Sequence, residues 1–271
     1  MIIFEQPKNI DNIEDYALVN TPNKKGQFGV ILWGPNAVLK RTNDIFKNYL
    51  VGFSGKTQLS TCNSFWPGST GIQSSGDTIG INIEAWSIWS NIRNNMNKGT
   101  IVMAYNFPVI PVQGKSFRYS LDMAVPSMKT FNKGVAQVTA WYRLAEKKNK
   151  KSFWLGVNLA DSRENQRYHE LTMLDVGTNT YMVSGGLDRS IYDFGNFSSS
   201  NFSDFRHYEF KVTNERILYC VSKLNEKGLN FSEDINDYLL YHVNLNPELY
   251  VKSWTDYAQI GIKVKNWKLE Y

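Results

Sequence analysis

The chain has 271 residues, of which 42% are hydrophobic and 14% aromatic, and a formal net charge of +5. That length fits one large domain or two modest ones, and a mean hydropathy of −0.39 is that of a water-soluble chain with a substantial core. The scattered charge excludes a nucleic-acid-binding stripe, no stretch is long and apolar enough for a membrane-inserted helix, and the His and Cys spacings suit no metal, so no cofactor is expected.

In chain order, alternating or β-rich segments predict strands at Ile2–Glu5, Phe28–Trp33, Thr57–Cys62, Thr78–Ala85, Thr100–Phe107, Ser116–Val125, Gly134–Ala145, Ser152–Ala160, His169–Asp175 and Thr180–Val183. Further strands are predicted at His207–Thr213, Arg216–Lys223, Tyr238–Leu245 and Ala258–Val264. Pro126-Ser127, Asn132-Lys133-Gly134, Gly185-Gly186 and Asn246-Pro247 read as turns, and Thr213-Asn214-Glu215-Arg216 as a tight hairpin. The basic run Lys147–Lys151 reads as a solvated hairpin loop. Pro35–Asn48 has helical pattern, and Ala85–Met96 is either a short helix or a bulged strand. Cys220 alternates within Ile217–Val221 and is expected as a buried thiol.

Many alternating strands, few helices and no βαβ rhythm predict an all-β fold, a two-sheet antiparallel jelly-roll sandwich with few short helices. Residues 1–271 are expected to form a single domain, with residues 1–100 either part of the sandwich or an N-terminal elaboration.

Three consecutive strands carry the most specific signal. In Phe117–Val125 the odd positions are apolar; in Ala136–Leu144 the even positions are; in Phe153–Leu159 the odd positions are again. Strand side chains alternate between faces, so Trp141 keeps company with Gln137, Thr139 and Arg143, and Trp154 with Asn158, on the polar side. A flat ring among amides, hydroxyls and a guanidinium is what stacking on a pyranose requires; the alternative is that a loop or second layer covers the rings. Glu84 joins the candidate ligand-binding set from its own polar face, and Trp66, in the loop-like Ser64–Gly68, is a further candidate contact.

Tyr168–Gly177 contains Glu170-Leu171-Thr172-Met173-Leu174-Asp175, which resembles the Glu-x-Asp-x-x-Glu strand of laminarinase and lichenase-type members of the concanavalin A-like lectin/glucanase superfamily. The resemblance implies a nucleophile at Glu170 and an acid/base at Asp175, with Thr172 where the family has a helper Asp and Asp175 where it has Glu. The closing segment Ile260–Leu269 resembles the last strand of carbohydrate-binding jelly rolls; its alternation changes phase near Lys265, predicting a bulge, and Trp267 is expected in the core. The first functional reading is a lectin-like protein binding a poly- or oligosaccharide through Trp141, Trp154, Arg143, Asn158, Gln137, Glu84 and Trp66. The second is a polysaccharide-cleaving hydrolase or lyase, with Glu170 acting alongside Asp175, Glu84 or Glu209. The third is a self-associating structural protein, and a homo-oligomer is compatible with the chain. Without a signal-peptide pattern, a cytoplasmic location is expected, or a secreted or cell-surface one if Met1 was added to a mature form.

Overall fold

A computed structural model describes residues 1–6, 27–33, 37–41, 49–54, 57–58, 71–75, 77–84, 98–164, 171–175, 178–184, 197–253 and 255–271. The strands are β1 (Ile2–Glu5), β2 (Gln27–Trp33), β3 (Ala37–Arg41), β4 (Tyr49–Ser54), β5 (Thr57–Gln58), β6 (Gly71–Ser75), β7 (Thr78–Glu84) and β8 (Lys98–Pro111). They continue with β9 (Phe117–Phe131), β10 (Val135–Glu146), β11 (Ser152–Asp161), β12 (Leu171–Asp175), β13 (Thr180–Ser184), β14 (Phe202–Val212), β15 (Tyr238–Tyr250) and β16 (Tyr257–Glu270). Among the described residues one α-helix, α1 (Asn214–Asn225), follows β14, and a short 3-10 turn (Ile235–Asp237) leads into β15.

The strands form a jelly-roll sandwich of two sheets. A nine-stranded sheet runs β14-β9-β16-β7-β6-β4-β3, with β1 on β16 and β5 on β4; a seven-stranded sheet runs β12-β13-β11-β10-β15-β8-β2. Pairing is antiparallel except between β11 and β13, which are parallel. Strands from the first hundred residues enter both sheets.

Alternation decides which side chains meet between the sheets. Ile79, Ile81 and Ile83 of β7, Tyr119, Leu121 and Met123 of β9, and Ile260, Ile262 and Val264 of β16 face Val138, Ala140, Tyr142 and Leu144 of β10 and Phe153, Leu155 and Val157 of β11. Burying each large aliphatic or aromatic side chain of this core contributes about 1.5–3 kcal/mol.

Several local readings are corrected. Thr213–Arg216 is no hairpin and Arg216–Lys223 no strand: Thr213 caps α1, its hydroxyl accepting from the Arg216 N–H at 3.3 Å. Ile217, Cys220, Val221 and Leu224 then bury one face at helical spacing, which places Cys220 as a buried thiol on a helix. Ala37–Arg41, within the expected helix Pro35–Asn48, is strand β3; Ala85–Met96 lies outside the described residues. Pro126 and Pro247 interrupt no strand. The β9–β16 register shifts between Gly261↔Ser127 and Lys263↔Ala124, so Pro126 sits at a bulge. The β15–β8 ladder passes from Leu245↔Met103 to Glu248↔Thr100, skipping Pro247, which has no N–H to give. The bulge expected near Lys265 is present: β16 shifts register between Lys265 and Lys268, Asn266 adopts φ 54°, and Trp267 turns fully into the core.

Candidate functional site

The face of the seven-stranded sheet that turns away from the core is built from rows of polar and indole side chains. Register places Gln137 between Asp161 and Glu248, Thr139 between Asn158 and Asn246, Trp141 between Gly156 and Asn244, and Arg143 between Trp154 and His242. Both indoles lie outside the core cluster, on the polar side of their strands. They are nonetheless shielded, with Trp141 5% and Trp154 7% exposed.

Hydrogen bonds tie the rows together. The Trp141 indole N–H donates to Thr139 Oγ1 at 2.8 Å, and that of Trp154 to Thr178 Oγ1 at 3.4 Å. Gln137 donates to Glu248 Oε2 at 2.7 Å, which also accepts from the Tyr250 hydroxyl at 3.0 Å. Arg163 donates to Gln137 Oε1 at 2.9 Å and grips both oxygens of the buried Asp161, at 2.9 and 2.7 Å. Those bonds to Asp161 hold the Arg163 pKa above its ordinary value, against the burial that lowers it. Asn158 adds a bond to Asp161 at 3.3 Å.

At the other end of the face the Arg143 guanidinium lies 5.1 Å from the Trp154 ring and 5.6 Å from that of Tyr241. Burial, reinforced by the Arg143 charge, pushes the His242 imidazole down to about 3. Asn244 Oδ1, Asn246 Oδ1 and Arg143 Nε are buried and have no hydrogen-bond partner among the described residues. Such groups normally cost about 1–3 kcal/mol each, and three of them stand on this face beside the two indoles.

Of the residues singled out from sequence, Gln137, Trp141, Arg143, Trp154 and Asn158 come together here. Asp175, on edge strand β12 of the same sheet, is linked to them through Thr178, whose hydroxyl donates to Asp175 Oδ2 at 2.6 Å and accepts from the Trp154 indole at 3.4 Å. Glu84, on β7, and Glu209, on β14, belong to the other sheet. Glu170 and Trp66 lie outside the described residues. Sequence reasoning missed His242, Asn244, Asn246 and Glu248, whose alternate spacing along β15 is a readable signal; reading Asn246-Pro247 as a turn cuts off the last two.

The polar face of the nine-stranded sheet is a separate, solvated ionic network. Arg118 pairs with Glu209 at 3.6 Å and Glu270 at 3.5 Å, and His207 with Asp122 at 2.8 Å. Burial alone would raise the Asp122 pKa, but hydrogen bonds from Asn266 and His207 and the nearby His207 and Lys265 charges hold it low. Exposed pairs of this kind are worth little individually.

Among the described residues no group of three or more His, Cys, Asp or Glu is placed to hold a metal ion, and no helix is long and apolar enough to cross a membrane.

No protein-family model matches the chain, and no curated protein matches it. Similar solved structures include the xyloglucanase domain of NopAA, a type three effector from Sinorhizobium fredii, in complex with cellobiose (12% identity, 89% of this chain and 97% of that chain, TM-score 0.43). A family 12 xyloglucanase from Bacillus licheniformis in complex with ligand aligns at 9% identity over 89% of this chain and 98% of that one, TM-score 0.40. The family 11 xylanase from Neocallimastix patriciarum aligns at 11% identity over 90% and 99%, TM-score 0.36. With TM-scores below 0.5, the strand order of this chain, not these neighbours, defines its fold.

Proposed function

We propose that the polar face of the seven-stranded sheet binds a poly- or oligosaccharide without cleaving it. The observation that carries this reading is the row of Asn244 Oδ1, Asn246 Oδ1 and Arg143 Nε, buried acceptors and a donor lacking partners among the described residues, set beside Trp141 and Trp154 outside the core. Sugar hydroxyls both donate and accept, and the apolar face of a pyranose suits an indole. Because the face is shielded, ligand entry requires it to open, and association is slower than for an open surface.

Binding is favoured over cleavage by the carboxylates. Hydrolysis needs two carboxyl groups flanking one bond. Of the described carboxylates on the seven-stranded sheet, Asp161 is held by Arg163 and Asn158, Glu248 by Gln137 and Tyr250, and Asp175 by Thr178, while Glu84 and Glu209 belong to the other sheet.

The test is native-gel retardation with soluble xyloglucan, xylan, mixed-linkage glucan and mannan, beside a reducing-end assay. At least one polysaccharide retards the wild type, and Asn246→Ala and Trp154→Phe each weaken retention about tenfold, equivalent to about 1.4 kcal/mol, at unchanged melting temperature. Absence of retardation by any of them, or variants that bind as the wild type, overturns the reading. Release of reducing ends abolished by Glu170→Gln replaces it with the hydrolase.

A further inference from the structure

A cleft of about 520 Å³ opens between the turn that follows β10 and the segment that joins α1 to β15. Its size falls within the roughly 300–1,000 Å³ of small-molecule sites. The walls are fixed by the chain itself. Asn225, at the end of α1, spends both ends of its amide on the Phe231 backbone, at 2.6 and 2.9 Å. Ser232 Oγ donates to Asp237 at 2.7 Å and accepts from the Asp234 N–H at 3.2 Å. Lys151 is tied to the carbonyls of Leu229 and Asn230, both at 3.0 Å, and Lys147 to that of Asn236.

Glu146, the last residue of β10, lines this cleft and is only 4% exposed. One carboxylate oxygen accepts from the Ser232 N–H; the other, Oε2, is buried and has no hydrogen-bond partner among the described residues. A buried carboxylate oxygen needs a donor, and no described group donates to this one. Glu233 and Asp237 add two further carboxylates, while Asn149, Asn230 and Lys148 bring donors to the same space.

Charge narrows the ligand. Three carboxylates repel an anion. Lys148, with Nζ 3.9 Å from Asp237, and Lys147 and Lys151 close by offset part of that charge. A mixture of acceptors and donors around one space matches hydroxyl groups, which do both. We infer that this cleft binds one unit of a neutral, hydroxyl-rich ligand, a sugar or polyol, with Glu146 Oε2 accepting an O–H. The inference is independent of the sheet face, since no residue is shared.

Backbone amide shifts in ¹⁵N spectra test it, with methyl glucoside, methyl galactoside and methyl xyloside as probes and spermidine and calcium chloride as comparators. At least one glycoside produces saturable shifts at Asn149, Asn230, Ser232 and Glu233, and these persist in Trp154→Phe. Glu233→Ala and Asn230→Gly each weaken them about tenfold; glycine tolerates the φ of 53° at position 230, so the loop survives that change. Glu146→Gln keeps an acceptor for the Ser232 N–H and reduces glycoside affinity only a few-fold, because a hydroxyl can also accept from the new amide. Shifts caused by spermidine or calcium but by no glycoside overturn the inference, as do glycoside shifts that vanish in Trp154→Phe. Loss of polysaccharide retention in Trp154→Phe with cleft shifts intact separates failure of one site from failure of the other.

Discussion

Gly156 is the position where sequence, packing and the candidate site meet most tightly. It lies opposite Trp141 in the β10–β11 ladder, and the indole rests on it. A Cβ built at Gly156 would stand 2.0 Å from Trp141 Cε3, 2.3 Å from Trp141 Cδ2 and 2.6 Å from the Ala140 carbonyl oxygen. Carbon atoms pack at about 3.5–4.0 Å, so Gly156→Ala must drive the ring away by about 1.5 Å and also move strand backbone. Overpacking typically costs about 1–3 kcal/mol, and the backbone clash puts this case at the upper end. In urea denaturation followed by far-UV circular dichroism, the midpoint of Gly156→Ala falls by about 1 M, for a slope of a few kcal/mol per M. The indole accounts for two of the three clashes, so Gly156→Ala costs less in a Trp141→Ala background, with a coupling of about 0.5–3 kcal/mol. A Gly156→Ala midpoint within about 0.5 kcal/mol of the wild type, or strictly additive variants, would refute the placement of the ring against the sheet.

Three further outcomes follow from the geometry. At the β16 bulge, Asn266 combines φ 54° with a 2.6 Å bond to Asp122, so Asn266→Ala loses about 1–3 kcal/mol while Asn266→Gly loses less; equal losses in thermal unfolding would remove the backbone argument. Thr213→Ala removes the cap of α1 and costs about 1 kcal/mol in urea midpoint, whereas a strand at this position would be indifferent to it. His242 titrates near 3 when folded against an ordinary 6.5, so the unfolded chain takes up the proton first. Stability therefore declines as pH falls from about 6.5, by up to about 1.4 kcal/mol per unit. Asp122 and Asp256, both held below the ordinary carboxylate value, contribute only below about pH 4, outside that window. His242→Gln flattens the profile between pH 6.5 and 4; parallel profiles for variant and wild type would contradict the assignment.

The fold was legible because alternation over β9, β10 and β11 is long and regular, and a period of two leaves little choice of phase. What escaped was local. Ile217-Leu218-Tyr219-Cys220-Val221 is a run of β-compatible residues, and the helix signal lay in the spacing of Ile217, Cys220, Val221 and Leu224 behind a Thr cap. Pro126 and Pro247 read as stops because proline lacks a ladder donor, yet a bulge or a one-sided gap in pairing absorbs one without ending a strand. Stopping at Leu245 cut Asn246 and Glu248 from the polar row they complete.

Alternation also cannot say which sheet a polar face belongs to, and that decides what chemistry the faces can share. The turn at Asn132–Gly134 carries the chain from β9 in one sheet to β10 in the other. Arg118, Ser120 and Asp122 thus point away from Gln137, Thr139, Trp141 and Arg143, with the whole core between them, although both sets alternate in phase with their neighbours. Sheets pack about 10 Å apart even before outward side chains are counted. A carboxylate on β7 or β14 therefore stands too far from the indole face to act on a ligand held there. Among the described residues the carboxylates of the seven-stranded sheet are each already hydrogen-bonded: Asp161 to Arg163 and Asn158, Glu248 to Gln137, and Asp175 to Thr178. Freeing Asp161 would break the bonds that orient Gln137 and, through it, Glu248.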